Sequence, residues 1–411
     1  MTKVKNLDRR YITILLIVFV QILGASMVMP ILPLYALRQF EMDPLYIPLL
    51  GTSFFIAQAI AGPYLGRLSD KYGRVPVLII SQIGTVISFI MIGLANSVLL
   101  LFAARILDGI TGGNIIVAQA YITDITPREK RTQALGMIFA AFGLGFIFGP
   151  ALGTVLAAYF GPTVPFYLAA VAAAVVVLLT WRTLDESLTP EQRQRNRQAN
   201  ASSLQPRQVW ANRTLVLVLL IAFVGQFVLG MLQSTFALFG ATVLFAGYTQ
   251  KITDMGIGLL LSVVGMSQFM TQLVVLPRML RRYNDTTIVI VGLLVRGLGM
   301  LVFTVITWPW FGIFGSIFFA VGMGLMMPPL QSLSTKAVGD ELRGGVLGVY
   351  QSVISVSTIV STAVSGLLFT LNPRLPYGFA VGLTLVALAP ALILQNKFRK
   401  QKEEVLPVVT D

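Results

Sequence analysis

Gly66-Arg67-Leu68-Ser69-Asp70-Lys71-Tyr72-Gly73-Arg74-Val75-Pro76 is a charged island between two long apolar runs. No charge falls between Pro44 and Gly66, and none between Val75 and Ala104. A tight basic turn bounded by glycines, flanked on each side by enough apolar chain to cross a bilayer, indicates a membrane protein rather than a soluble enzyme. The composition agrees. Of 411 residues, 56% are hydrophobic and only 11% are charged, and the mean hydropathy is +0.81. Soluble domains carry about 25% charged residues, so this chain must use lipid as its solvent.

A spanning helix needs roughly 20 apolar residues. Twelve such segments fit, near 11–37, 45–66, 76–95, 98–124, 132–158, 163–182, 214–242, 255–277, 286–306, 309–334, 344–370 and 375–396. Met1 to Arg10 is basic, but Tyr11 to Leu37 is too long and uninterrupted for a signal-peptide core, so it is expected to be the first span and not a cleaved leader. Positive charges gather in alternate loops. Lys3, Lys5, Arg9 and Arg10, then Arg67, Lys71 and Arg74, then Arg128, Lys130 and Arg131 lie on one side. Arg182 to Arg213, Arg278 to Arg282, Lys336 and Arg343, and Lys397 to Lys402 continue the series. The opposite loops hold Arg38, Lys251 and Arg374. The positive-inside rule places the basic side and both termini in the cytoplasm. This alternation also accounts for the net charge of +13 without nucleic acid as a partner.

Cysteine and histidine are both absent. That removes disulfides, thiol chemistry, histidine-bound metal and histidine proton relays from consideration, and no metal or cofactor is expected. No phosphate-cradling P-loop is present, so ATP is not the expected drive.

The organisation reads as residues 1–182, a polar linker 183–213, residues 214–396 and a tail 397–411. The linker is rich in Gln, Arg and Asn, lacks an apolar face, and is expected to be flexible. Six spans lie on each side of it. The halves echo each other: Tyr64-Leu65-Gly66-Arg67-Leu68 … Tyr72 aligns with Val275-Leu276-Pro277-Arg278-Met279 … Tyr283, and Arg131 precedes Gly136 as Arg343 precedes Gly348. A parallel repeat with a midplane binding site between its halves is a recurrent transporter plan.

Within the island, Asp70 and Arg74 stand four apart, close enough to pair over one helical turn. In the fourth segment, Arg105 and Asp108 are three apart. Counting about 1.5 Å per residue from Val98 puts Asp108 roughly 15 Å deep, near the middle of a core about 30 Å thick. Ionisable residues at that depth usually face a cavity or a partner. Desolvation favours the neutral form of a carboxylate and an adjacent guanidinium favours its anion, so movement of Arg105 relative to Asp108 would load and unload a proton. A static ion pair that fixes packing, or direct contact with substrate, would use the same residues. In the fifth segment Gly145, Gly149 and Gly153 are spaced by four, giving a smooth face for close helix packing, and Pro150 removes a backbone donor and bends the helix. Such a face could seal against a helix of the other half. Polar or soft residues inside spans are the cavity candidates: Gln21, Met27, Asn114, Gln119, Gln226, Gln233, Gln268, Gln272, Gln331, Tyr350 and Gln351. A residue of this kind taken alone is more often a helix-to-helix hydrogen bond than a ligand contact. Arg296 lies mid-span without an evident partner, and snorkelling or a lipid headgroup are its open readings.

Several of these stretches resemble the major facilitator superfamily. The island resembles the loop joining its second and third helices. Arg105 followed by Gly109 resembles its helix 4 motif. Gly145-x-x-x-Gly149-Pro150-x-x-Gly153 resembles the motif of its proton-coupled exporters. Gly24-Ala25-Ser26-Met27-Val28-Met29-Pro30-Ile31-Leu32-Pro33 and Ala120-Tyr121-Ile122-Thr123-Asp124-Ile125-Thr126 resemble bacterial tetracycline-resistance-type exporters. The resemblance covers essentially the whole chain and is strongest in the first half. It implies an all-α integral membrane protein of twelve transmembrane helices in two six-helix bundles. It implies a drug:proton antiporter and not an enzyme, exporting amphipathic small molecules across the plasma (inner) membrane by alternating access. The partners are then a small-molecule substrate, protons and the lipid bilayer, and one chain suffices as a monomer. The resemblance also implies a latch built of Gly66, Asp70, Gly73 and Arg74, with Asp70 capping the eleventh helix near Gly344 and Arg74 bridging to Asp124. In the second copy Gly66, Asp70 and Gly73 become Pro277, Arg281 and Asn284, so no equal latch is expected there.

The chain also departs from those exporters. They carry an acid within the first helix, and this chain has none between Tyr11 and Leu37. They use acidic and histidine residues in the second half, where no acid is expected inside any span after Asp124. Tetracycline itself therefore lacks its expected partners. A proton-coupled or uncoupled exporter of a metabolite or sugar is the rival within transport. A non-transporting receptor or a membrane enzyme are the rivals outside it.

Overall fold

A computed structural model describes residues 2–112, 114–126, 131–189, 191, 206–338 and 343–405. The Asn114 side chain and the surroundings of Arg131, Gly136, Arg343 and Gly344 fall outside that description, as does most of the linker. Among the described residues the elements are helices and turns, with no strand. Lipid offers no partner for backbone groups, so each crossing segment must close its own hydrogen bonds as a helix. Twelve helices are long and apolar enough to cross. Numbered in order, these spans are Arg9–Gln39, Ile47–Tyr72, Arg74–Gly93, Val98–Ile125, Ala141–Phe160, Val164–Thr183, Arg213–Leu244, Gln250–Leu280, Asp285–Val305, Pro309–Lys336, Gly348–Leu371 and Leu375–Arg399. The all-α, twelve-span expectation holds.

The charged island is tighter than its composition suggests. Span 2 stays helical to Tyr72 and span 3 starts at Arg74, so Gly73 alone makes the turn. Its φ of +111° is a conformation that a side chain resists, and its N–H donates to the Ser69 carbonyl at 3.1 Å, closing span 2. Gly66, expected to bound the turn, is instead inside the helix, and a Cβ there would meet nothing within 4 Å.

The first orphan N–H groups of span 3 are satisfied from far along the chain. The Glu186 carboxylate accepts from the Arg74 N–H at 2.9 Å and the Val75 N–H at 3.3 Å. It also accepts from its own neighbours Ser187 and Leu188. Leu184 and Leu188 are buried. The start of the linker is thus a packed segment, a correction to the expected polar, faceless stretch. Beyond it, Pro206–Ala211 forms a short helix.

Span 4 consists of two helices, Val98–Thr111 and Asn114–Ile125. Carbonyls freed at the interruption are taken up by neighbouring spans: Gln58 donates to the Gly112 carbonyl at 3.2 Å and Ser81 to the Thr111 carbonyl at 2.6 Å. Span 7 ends in a π-turn, Gly240–Leu244, and span 8 contains another, Thr271–Val275, just before Pro277. A proline withholds one N–H from the ladder, and a local π-turn is one way to absorb that loss.

The residues pack as two compact units. The first comprises Met1–Asn200, Gln233–Met266 and Thr362–Pro373, and the second Ala201–Leu232, Ser267–Ser361 and Arg374–Asp411. Ile14, Ile17 and Val18 of span 1, Leu78 of span 3, Val117 and Tyr121 of span 4 and Ile138 form the centre of the first. Val218 and Ile221 of span 7, Leu293 of span 9, Met326 and Leu330 of span 10 and Ala391 of span 12 form the centre of the second.

In the first unit the glycine row of span 5 lies on span 1. A Cβ on Gly145 would sit 2.7 Å from Ile22 Cγ2, one on Gly149 would sit 2.9 Å from the Leu23 carbonyl, and one on Gly153 would sit 2.7 Å from the Met27 carbonyl. Ser26 donates to the Gly145 carbonyl at 2.8 Å. The row therefore joins two helices of the same half, which corrects the expectation that it faces the other half.

These contacts rank the glycines for thermal unfolding of the purified protein in detergent. Gly149→Val overfills the span 1 contact and is expected to cost about 1–3 kcal/mol. Gly73→Ala is expected to cost roughly 1–2 kcal/mol through its left-handed backbone. Gly66→Ala should be neutral or gain about 0.5 kcal/mol, because an open helical site loses only chain freedom in the unfolded state. A Gly66→Ala loss as large as that at Gly73 would contradict the one-residue turn.

Candidate functional site

The first unit encloses a cavity of about 290 Å³ lined mainly by spans 1 and 2. Its walls are largely apolar and include Met29, Phe54, Phe55, Phe89 and Phe146. Arg105 and Asp108 line it as well. Arg105 Nη1 donates to Asp108 Oδ2 at 2.6 Å, and the guanidinium lies 4.2 Å from the centre of the Phe54 ring. Asp108 is 8% exposed. The helix 4 pair thus faces a crevice and is not turned toward lipid. Its remaining polar neighbours in the wall are Ser26, Gln58, Gln233, Ser234 and Thr362. Arg105 Nε is buried without a hydrogen-bond partner among the described residues, so the pair is incompletely satisfied by the protein itself.

The cavity candidates scatter. Gln233 lines this cavity. Gln21 borders a separate, far smaller one with Gln82 and Thr85. Met27 is buried and its backbone meets Gly153. Gln226, in the second unit, donates to Thr358 at 2.9 Å, a helix-to-helix bond. Gln119 is half-buried on the second helix of span 4, and Gln331 and Gln351 are exposed. Asn114 lies outside the described side chains. Gln58, Ser26, Ser234 and Thr362 were not singled out by composition. The signal for Gln58 is an amide in mid-span, able to donate to the carbonyl at the Gly112 interruption.

At the end of the unit that carries the hairpin, Arg74 is buried and holds three groups. Its Nη1 lies 2.7 Å from Asp70 Oδ1 and donates to Ser69 Oγ at 2.6 Å, and its Nε donates to Asp124 Oδ2 at 3.0 Å. Ser187 donates to the same Asp124 oxygen at 3.0 Å. Arg10 pairs with Asp185, whose carbonyl accepts from the Tyr121 hydroxyl. Asp70, Arg74, Asp124 and Gly73 are therefore brought together. Glu186, Ser187 and Asp185 join them from a segment whose composition reads only as linker.

The opposite end of the unit is closed by a seam. The second face of span 5, one residue on from the glycine row, meets span 8. A Cβ on Gly258 would sit 2.9 Å from the Pro150 carbonyl, and one on Gly265 would sit 2.7 Å from the Phe146 carbonyl. Pro150 has no N–H to give to that Phe146 carbonyl. Thr52 donates to Thr362 at 2.8 Å, and Lys251 lies 3.6 Å from the centre of the Tyr159 ring. Arg38 pairs with Asp254. Asp254 is inside the span 8 helix and buried, which corrects the expectation that no acid lies within a span after Asp124.

Arg296, in the second unit, is 1% exposed and its guanidinium lies 4.8 Å from the Phe319 ring centre. That burial replaces both snorkelling and a lipid headgroup as its account.

Comparison with known proteins agrees with this architecture. Residues 14–249 and 228–408 match the model of the Major Facilitator Superfamily. The chain is 28% identical over 358 residues to the class H tetracycline resistance protein of Pasteurella multocida, covering 86% of this chain and 87% of that one. It is 26% identical over 392 residues to multidrug resistance protein 2 of Bacillus subtilis, covering 94% and 95%. Among solved structures, a bacterial homologue of the human lysosomal transporter Spinster, in an inward-facing and occupied conformation, superposes with a TM-score of 0.77. It is 16% identical and covers 95% of this chain and 97% of that one. With twelve spans, a one-residue hairpin tied to the end of span 4, and a family match along almost all of its length, this chain belongs to the Major Facilitator Superfamily.

Proposed function

We propose that this protein is a secondary transporter that exports amphipathic small molecules, drugs among them, in exchange for protons. The Arg105–Asp108 pair, in the wall of a largely apolar and aromatic cavity, carries this reading. An apolar pocket with a few convergent polar groups suits loosely specified amphipathic ligands. A sugar would need more hydrogen-bond partners than this wall supplies. The names of the relatives, tetracycline resistance and multidrug resistance proteins, support export of drugs. The acid-free first span still argues against tetracycline as the defining substrate.

In this reading residues 1–182 and 214–396 form the two six-helix bundles and 183–213 connects them. The basic loops and both termini face the cytoplasm of the plasma membrane, and a single chain works as a monomer. Asp108 is the proton carrier and Arg105 its tuner. With Asp108 ionised the pair is internally neutral. With Asp108 protonated the guanidinium loses its counter-charge and turns to Phe54 or water. The two states differ by one charge inside the cavity, which is the differential interaction a coupled conformational change requires. At the cytoplasmic face, Arg74 with Asp70, Ser69 and Asp124 acts as the latch, and Glu186 fixes the turn that presents it.

Two experiments test this. In vesicles with an imposed pH gradient, Asp108→Asn should abolish uphill accumulation and leave substrate binding intact. Full gradient-driven accumulation by that variant would remove Asp108 from the proton path. Arg74→Ala leaves Asp70 and Asp124 without their shared cation. It should cost about 2–3 kcal/mol of stability, less than a fully buried pair because Asp70 is partly exposed. Arg74→Lys should recover only part of the transport rate, since a point charge cannot hold three groups in a plane. Equal rates for Lys and Arg would reduce the latch to a topology signal.

A further inference from the structure

Asp254 lies about one turn into span 8 and is 5% exposed. Arg38, at the end of span 1, meets it with both terminal nitrogens: Nη1 donates to Oδ2 at 2.9 Å, and Nη2 lies 2.8 Å from Oδ1. The pair borders a second cavity of about 300 Å³, lined also by Tyr35, Gln39, Thr154 and Gln250. That cavity sits on the seam where span 8 meets spans 1 and 5, at the end away from the hairpin. We infer that Arg38 and Asp254 are the gate pair of the outer mouth, joined while the mouth is shut and parted when it opens. This rests on the alternating-access reading above.

The physical case comes from what surrounds the pair. Gly258 and Gly265 meet carbonyls of span 5, and Gly366 approaches the Leu45 carbonyl. Such contacts are close but form no strong bond, so they part without stranding a charge. The Arg38–Asp254 pair is different. A buried carboxylate stripped of its cation is strongly disfavoured, whereas a buried pair and a fully hydrated pair are of comparable free energy. Half-separation is therefore the worst state, and the pair makes the seam either shut and dry or open and wet. The charge-assisted hydrogen bond from the guanidinium to Oδ2 holds the end of span 1 to span 8 when shut. Arg38 is already about a third exposed, so water reaches the pair from its side as soon as the seam loosens.

The chain has no cysteine, so Leu32→Cys places a single thiol in the wall of the main cavity behind the seam. Intact cells carrying this variant are treated with a membrane-impermeant maleimide from outside. Adding Asp254→Asn or Arg38→Gln should raise the labelling rate per molecule about tenfold, because either one disfavours the shut state. Exchanging the charges, Arg38→Asp with Asp254→Arg, should return the rate to within about twofold of the starting variant. Unchanged labelling in the single variants overturns the proposal, as does a failure of the exchange to restore it, or the absence of labelling in every variant. A packing role alone would lower the amount of protein in the membrane and leave labelling per molecule unchanged, which also overturns it. Should a single variant not reach the membrane, the exchange variant decides by its own rate. Uphill transport by the unmodified chain tests the carrier reading separately: its absence with the labelling pattern intact overturns that reading and leaves the pair in place.

Discussion

A charge inside a span has no water to return to, and neither has a backbone carbonyl released from its helix. Each must find solvation within the protein or line a space that water can enter. Much of the structure follows from that demand. The interruption of span 4 frees carbonyls at Thr111 and Gly112, and Ser81 and Gln58 are there to meet them. The start of span 3 exposes N–H groups, and Glu186 reaches them from beyond span 6. Arg105 and Asp108 satisfy each other only in part, and the rest of their solvation comes from the Phe54 ring and the cavity they line. A pair that is incompletely satisfied by fixed partners is one whose protonation can change without breaking the fold. That separates it from Arg74, whose three partners leave little to exchange.

Span 5 has two working faces set one residue apart. Gly145, Gly149 and Gly153 bring it against the backbone of span 1, with the Ser26 hydroxyl bonded across the contact. Phe146, Pro150 and Thr154 meet Gly258 and Gly265 of span 8. The first face joins helices of one half with a side-chain hydrogen bond. The second face sets glycines of the other half against carbonyls. One short motif therefore supplies two joints, one to span 1 and one to span 8, and the proline belongs to the second. The glycine spacing marks the joint, while the glycines that mark the seam are on span 8.

The parts legible in the sequence are those set by length, charge and short spacing. Twelve crossings follow from run lengths, the hairpin from its isolated charges, and the Arg105–Asp108 pair from three-residue spacing. The illegible parts depend on helix rotation and on where an end falls. An amide in mid-span reads the same whether it faces a cavity or a neighbour: Gln233 lines the cavity, Gln226 bonds Thr358, and Gln21 borders a separate small one. Asp254 is illegible because hydropathy starts span 8 at residue 255, whereas the helix begins at Gln250. Glu186 is illegible because a segment with few apolar residues reads as linker, although two leucines, Leu184 and Leu188, suffice to pack it.

Arg296 shows how the same constraint is met without a carboxylate. The offset that aligns Tyr64 with Val275 also aligns Thr85 with Arg296, so the two halves place a polar side chain at corresponding points of spans 3 and 9. Thr85 is small and buried near Gln82, which accepts from Thr180. Arg296 is far larger, and the second unit accommodates it with small neighbours. A Cβ on Gly225 would lie 3.5 Å from its Nη1, and Gly292 and Gly322 let spans 9 and 10 touch backbone to backbone beside it. Its guanidinium nitrogens have no hydrogen-bond partner among the described residues, but the guanidinium carbon lies over the Phe319 ring. A delocalised, weakly hydrated guanidinium costs less to bury on an aromatic face than a compact, strongly hydrated ammonium. The same guanidinium-on-phenyl contact recurs at Arg105 and Phe54, so both units hold an intramembrane arginine against a ring, and only the first of these two arginines has a carboxylate, Asp108, hydrogen-bonded to it among the described residues.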